Sequence, residues 1–428
     1  MQPTSPLPHL PGIDHTTTLL RQGYDFIGRG CDRFGQDMFR ARLMFRPVIC
    51  ARGADAARLI YDPDLFTRQG AMPTTVLRLL QDKGSVQTLD DAQHRHRKAL
   101  FVSLLMSDRT EWQVVTLFQE EWRRALQQWQ ARDMISLLDE AGLVLTRTAC
   151  RWIGLEPPRQ DDVALHADLA AMIEAAGKAG PSVVKALLRR RRIEQWLQDC
   201  VSQRRQMQNP PDDPLAEVAL LRDDDGTMLS RSIAAVEVLN LLRPIAAVGR
   251  YVMLCALALH NHPKWHDRVR GAPEPIQQAF AEEVRRFYPF FPAVAGRARR
   301  TFHHHGHQFA QGDWLLLDLY GSCHHHQMFP RPEEFDPRRP RTWSDQDFGL
   351  IPQGAGRVDR THRCPGERLT VALMRRAIGL LTEEMTYTVP KQDLDLPASR
   401  IPAQPKDGFL MADIRAIGDF VQASSTNG

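Results

Sequence analysis

Four groups of residues in this 428-residue chain have the types and spacing to do chemistry. The first is Cys364, in the loop 351–366, IPQGAGRVDRTHRCPG, which runs straight into an apolar helix. A thiol just before a helix N-terminus meets free backbone N–H groups and the positive end of the dipole, which favour the thiolate, the form an iron ligand requires. Gly354 and Gly356 would let the backbone lie close to a flat cofactor, and His362 and Arg363 stand where they can meet its carboxylates. The second group is HRHRK, His94 to Lys98, whose imidazoles and cations suit carboxylates or a solvated patch. The third is Arg243 followed by Pro244 in EVLNLLRPIAA. A buried arginine is costly unless an anion meets it, and the proline deletes a helix hydrogen bond and opens a kink. The fourth is Glu283 with Arg286 in AEEVRRFYPF, three apart on one helix face and able to pair. Each has a bland alternative: a buried thiol, a surface patch, an arginine met by a structural glutamate, a surface ion pair.

The elements that must position these groups are mostly helical. The stretch 230–260 is apolar on every face, about 45 Å long at about 1.5 Å per residue, and therefore a buried core helix. Arg231, Glu237, Arg243 and Arg250 count against a membrane span. Residues 91–201 read as helices with breaks near 154–158 and 177–181, 54–61 as a short helix, and 367–381 as the helix after the cysteine. Strand patterns occur only at 37–50 and 301–319. This predicts a mainly α single-domain fold with small β-sheets, an N-terminal extension over 1–36 and the functional domain over 37–428.

Composition narrows the class. With 43% hydrophobic and 25% charged residues and a net charge of +4, the chain is neither disordered nor a strongly basic nucleic-acid binder, and the run Arg189 to Arg192 reads as a solvated helix face. Seven cysteines without a CxxC pair argue against a disulfide framework or a zinc finger. The histidine triplets 303–305 and 324–326 cannot converge on one ion and read as surface residues. The first thirty residues, with four prolines, carry no apolar run of signal-peptide or anchor type, so a cytoplasmic protein is expected.

At the cysteine loop the sequence resembles the cytochrome P-450 superfamily, whose signature ends in Cys-x-Gly at the start of a helix, here Cys364, Pro365 and Gly366. More closely it resembles the fatty-acid peroxygenase branch, where the loop reads IPQGGG and then GHRCPGE. Ala355 and Thr361 replace glycines of that pattern, so the backbone there must avoid positive φ or accept strain. The resemblance covers about 37–414. It implies a haem-thiolate fold holding haem b (iron protoporphyrin IX), with Cys364 as the axial ligand and His94 and Lys98 toward the propionates, which His362 could also meet from its place in the loop. Glu283 and Arg286 match the ExxR helix that braces the cysteine loop.

Dioxygen-activating members usually carry an acid and a threonine in the middle of the long helix, and EVLNLLRPIAA has no such pair. The branch shares Arg-Pro there, where the arginine holds a fatty-acid carboxylate. The resemblance thus implies a hydrogen-peroxide-dependent hydroxylase of fatty acids at the α and/or β carbon. Its substrate carboxylate would sit on Arg243 beside Pro244 and act as the acid–base group, with no redox partner, nucleic acid or membrane anchor. Gln87 stands where alkene-forming members tend to carry a histidine, and a glutamine cannot act as an imidazole proton donor, so hydroxylation is expected over decarboxylation. The alternatives are an alkene-forming decarboxylase with the same site, a reductase-dependent monooxygenase on another carboxylate, and a haem sensor, which has no need of Arg243. Ala293 and Gln81 stand where related chains have a larger residue and an aromatic, which leaves chain-length preference open.

Overall fold

Strands form where apolar residues alternate. In β1 (Met38–Leu43) every second side chain, Phe39, Ala41 and Leu43, is buried, and β1 pairs antiparallel with β2 (Arg46–Ala51). The computed structural model describes residues 7–81, 84–158, 161–178, 180–340 and 348–418. Ahead of the hairpin stand α1 (Thr16–Gln22) and α2 (Asp25–Phe34). After it come α3 (Gly53–Ile60), β3 (Phe66–Thr67), α4 (Thr74–Leu80) and a 3-10 turn at Val86–Thr88. The helical half holds α5 (Asp91–Leu105), α6 (Asp108–Trp129), β4 (Met134–Ser136), α7 (Leu137–Ile153), α8 (Asp162–Ala175), α9 (Pro181–Gln206) and α10 (Pro214–Ala219). Then follow the long α11 (Arg231–Asn261), α12 (Pro263–Val269) and α13 (Glu274–Phe287). The last third has β5 (Ala293–Ala298), β6 (Phe302–His304), β7 (His307–Phe309), β8 (Trp314–Asp318), α14 (Leu319–Cys323), α15 (Glu367–Gly379), β9 (Met385–Thr388) and β10 (Leu410–Ala416).

The strands form a five-stranded sheet in the order β1-β2-β8-β5-β3, a three-stranded sheet β4-β10-β9 and the hairpin β6-β7. In the larger sheet only β2 and β8 pair in parallel. The mainly α fold with small sheets is as expected, but β4 was not anticipated: three residues between helices gain strand geometry only from β10, far along the chain.

Helix α11 runs through the core against α7, α9, α13 and α15. From Ala234 to Leu259 every residue is buried except Pro244, which is exposed, and Ala247, which is partly so. At its crossing with α7 a Cβ on Gly249 would lie 2.7 Å from the Gly142 nitrogen, so glycine allows the two backbones to approach. This is the one helix among the described residues long and apolar enough to cross a membrane, and 89% of that apolar window is buried inside the protein.

The described part of the N-terminal extension packs on the hairpin: Leu10 and His15 donate backbone hydrogen bonds of 2.8 Å to Arg40 and Arg42, and Phe26, Ile27 and Cys31 share a core with Phe39. Residues 1–6 lie outside the described residues. Two expectations need correction. The run Arg189 to Arg192 is not wholly a solvated face, because Arg190 turns inward and donates to Glu194, while Arg189 and Arg192 face Asp168. The histidines are not all on the surface either. His325 is buried with Nε2 3.0 Å from Asp37, and His324 packs on Tyr320, because α14 tucks the chain beneath the sheet. Among the described residues no His, Cys, Asp or Glu cluster has the arrangement of a metal site.

Candidate functional site

Cys364 lies two residues ahead of Gly366, the N-cap of α15, and its N–H donates 2.9 Å to the Gln353 carbonyl. Gln353 Nε2 stands 3.9 Å from the sulfur. Gly354 and Gly356 adopt φ of 102° and 79°. Their lack of a Cβ serves the loop itself: one on Gly354 would come 2.8 Å from the Tyr61 hydroxyl, and one on Gly356 2.8 Å from Thr361 Cγ2. Neither Ala355 nor Thr361 takes positive φ, and Thr361 Oγ1 sits 2.7 Å from the Ala355 carbonyl, so the two departures from the glycine pattern are accommodated without strain. Loss of solvent pushes the Cys364 thiol above its ordinary pKa, opposed by the Gly366 N–H and by Lys98 and Arg285. The sulfur lies two residues ahead of the helix N-cap in a half-buried loop, and a bound metal ion would favour its thiolate form.

The basic group gathers as expected. His94 and Lys98, on the inner face of α5, are buried, and the His94 ring stacks on His362 with centroids 4.0 Å apart. Lys98 Nζ donates to the carbonyls of Thr361, at 2.5 Å, and Arg363. Asp90 lies 3.8 Å from His362 Nε2 and accepts from Thr67 and the Arg68 N–H. Burial, with repulsion from His362 and Lys98, pushes His94 down to about 2. Burial pushes His362 down to about 4 and Lys98 to about 8. Asp90 falls to about 2 against its own burial, held by His362 and Thr67. Basic groups without enough anions are the chemistry of a site awaiting carboxylates. The rest of HRHRK points elsewhere: His96 bonds the Arg222 carbonyl at 2.8 Å, and Arg97 turns toward α11.

On α11, Arg243 is buried and donates to the carbonyls of Leu79, at 3.3 Å, and Leu80, and to Asn240 Oδ1 at 3.3 Å. No carboxylate pairs with it among the described residues. Burial, aggravated by Arg190, pushes its guanidinium down to about 9. Sequence reasoning missed Asn240, whose amide nitrogen donates to Gln87 Oε1 at 3.2 Å and to Glu237 Oε2 at 2.8 Å. Glu237 is fully buried and accepts from Arg97 at 3.0 Å and from the Val86 N–H at 2.8 Å. A connected network thus ties Arg243 to Gln87 and, through Arg97 and Asp223, to the surface. Glu237, Asn240 and Arg243 are spaced by three on an apolar helix, a signal that was present in the sequence. Pro244 does not interrupt α11; it and Ala247, one turn apart, are the only accessible residues of its core stretch and open onto free space.

Glu283 and Arg286 form the expected buried pair, at 2.8 and 2.9 Å. Arg286 does not reach the loop 351–366; its remaining bonds go to the carbonyls of Cys323, Pro332 and Glu334, and Glu283 also binds Arg339 and the Asp336 N–H. The pair braces the segment before the cysteine loop, because Arg286 points away from α15 while its neighbour Arg285 points toward it.

The sequence family model Cytochrome P-450 matches residues 271–410. Mutant forms of cytochrome P450SP alpha (CYP152B1) superpose with a TM-score of 0.92 at 38% identity, covering 95% of this chain and all of theirs. The chain belongs to the cytochrome P-450 family. Cytochrome P450EX alpha (CYP152N1), solved with myristic acid, matches with a TM-score of 0.92 at 36% identity over 96% of this chain and all of that one. A variant of cytochrome P450 OleT in complex with arachidonic acid matches with a TM-score of 0.93 at 31% identity over 97% of this chain and all of that one.

The prosthetic group of a cytochrome P-450 is a haem, and the donors of this one fit it. One soft sulfur stands in a half-buried loop, a surplus of basic groups (His94, His362 and Lys98) stands beside that loop, and α11 offers accessible space at Pro244 and Ala247.

Proposed function

We propose that this cytochrome P-450 is a peroxygenase that uses hydrogen peroxide to hydroxylate fatty acids at the α and/or β carbon. The observation that carries the proposal is Arg243: a buried cation whose hydrogen bonds, among the described residues, go to neutral oxygens, beside residues that open onto free space. A buried guanidinium without an acid is a receptor for one, and its fork matches a carboxylate. The solved relatives carrying myristic and arachidonic acid have ligands of that chemistry.

Cys364 would hold haem b, with His94, His362 and Lys98 taking its propionates, and the bound haem supplies cleavage of the peroxide O–O bond. The chain itself does the rest. Arg243 anchors the substrate carboxylate and so fixes the α and β carbons at a constant distance from the anchor. The held carboxylate, next to Pro244, serves as acid and base, passing a proton between the two peroxide oxygens, work for which α11 offers no acid–alcohol pair. Gln87 has its Oε1 engaged by the Asn240 N–H, and its carboxamide, unlike an imidazole, does not give up a proton, which favours hydroxylation over alkene formation.

Beside Cys364, Arg368 pairs with Asp108 and Glu111, Arg375 with Glu274 and Glu111, and Arg285 with Glu282 and Glu367. All seven cysteines are free, in keeping with a reducing, cytoplasmic setting. The test is to incubate the haem-loaded protein with hydrogen peroxide and a long-chain fatty acid, without reductase, and to analyse the products by mass spectrometry. Hydroxy acids are expected; terminal alkenes would favour decarboxylation, and no product would refute both.

A further inference from the structure

The sequence AEEVRRF contains two interleaved acid–arginine pairs, and the structure gives them different work. Glu283 and Arg286 brace the segment 323–339, as described above. Arg285 is 1% exposed and donates one arm to Glu282 and the other to Glu367. The second oxygen of Glu367 accepts from Arg363 Nε at 2.7 Å. Glu367 follows Cys364 by three residues and Arg363 directly precedes it, so the chain on both sides of the sulfur is tied to a cation that α13 supplies. Arg285, Arg363, Glu282, Glu367 and Cys364 all line one cavity of about 420 Å³.

Counted by charge, two arginines balance two carboxylates there. A deprotonated Cys364, itself half-buried, adds a third anion beside the enclosed Arg285, where charges interact more strongly than in open water. Arg285 is the more deeply enclosed of the two cations, with its Nε left without a hydrogen-bond partner. We propose that Arg285 is a positioning residue for the axial cysteine, clamping the loop through Glu367 and offsetting the negative charge that Glu282, Glu367 and the thiolate bring together. The proposal rests on Cys364 being the haem ligand and goes beyond it by assigning control of the ligand's electrostatics to a second arginine of α13.

The experiment compares Arg285→Gln, Arg285→Lys and Glu367→Gln with the wild type in haem-loaded full-length protein. It reads the ferric/ferrous reduction potential and the fraction of the ferrous CO complex with the thiolate-type band. Arg285→Gln leaves net negative charge, so the potential moves more negative and the thiolate-type fraction falls; Glu367→Gln breaks the same clamp but removes an anion, so the potential moves more positive. Arg285→Lys, which keeps the charge and loses the fork, stays near the wild-type potential. Shifts in the same direction for Arg285→Gln and Glu367→Gln indicate a merely mechanical brace and overturn the proposal, as does an unchanged potential in Arg285→Gln. If Arg285→Gln does not fold, Glu282→Gln removes an anion without touching the loop and is expected to raise the potential; no shift there overturns the proposal. A wild type without a thiolate-type band would instead refute the ligand assignment itself.

Discussion

Replacing Arg243 by methionine removes the charge and keeps most of the stem. Burial pushes this guanidinium from its ordinary 12.5 down to about 9, which corresponds to roughly 5 kcal/mol for holding the charge in place without a partner. An arriving carboxylate recovers at most that much, and losing one partner of a buried charge pair typically costs about 2–5 kcal/mol. At about 1.4 kcal/mol per tenfold, fatty-acid affinity should fall between about 30-fold and about 4,000-fold. The variant should keep its haem and be at least as stable as the wild type, because an unpaired buried cation has been exchanged for an apolar side chain. Titration of the haem absorption band with a long-chain fatty acid gives the affinity, and thermal melting gives the stability. Unchanged affinity, or a large fall in melting temperature with binding intact, would show that Arg243 is a structural group and would refute the reasoning.

Asn240→Ala removes the side-chain acceptor of one Arg243 N–H and the donor to Gln87 and Glu237, so affinity should fall by about 1 kcal/mol, about fivefold, with haem content unchanged; a change in haem content alone would count against the network. Gln87→His places a titrating imidazole where a non-titrating carboxamide stands, and gas chromatography should show products moving from hydroxy acids toward terminal alkenes. The pH dependence of the haem-free protein follows from His362, whose pKa falls from 6.5 to about 4. The unfolded chain binds more protons across that window, so stability should rise as pH increases from about 4 to about 6.5. Melting curves of the haem-free and haem-loaded forms check this, and propionates that restore the charged histidine should flatten the slope in the loaded form.

Much of the site was legible because its residues have costly or unusual chemistry. Cys364 before a helix, Arg243 in an apolar helix and the His94/Lys98 pair each break the local pattern, and the structure brings His94, Lys98, His362 and Cys364 into one neighbourhood. The long helix was legible because its apolar residues cover every face. What could not be read are partnerships across long sequence separations. Arg97 meets Glu237 across 140 residues and Asn240 meets Gln87 across 153, and neither spacing carries a local signal. The same holds for β4, which is a strand only because β10 returns beside it. The division of labour between Arg285 and Arg286 was equally hidden, since adjacent residues on a helix point about 100° apart and only the packing decides which of them meets the cysteine loop.

The most direct measurement uses hydrogen peroxide labelled with heavy oxygen, supplied in air to the haem-loaded protein with a long-chain fatty acid and no reductase. The account predicts a 2- or 3-hydroxy acid whose new hydroxyl carries the label, at a rate that collapses in Arg243→Met. A hydroxyl without label, or product formed only when a reductase and its electron donor are added, would contradict it.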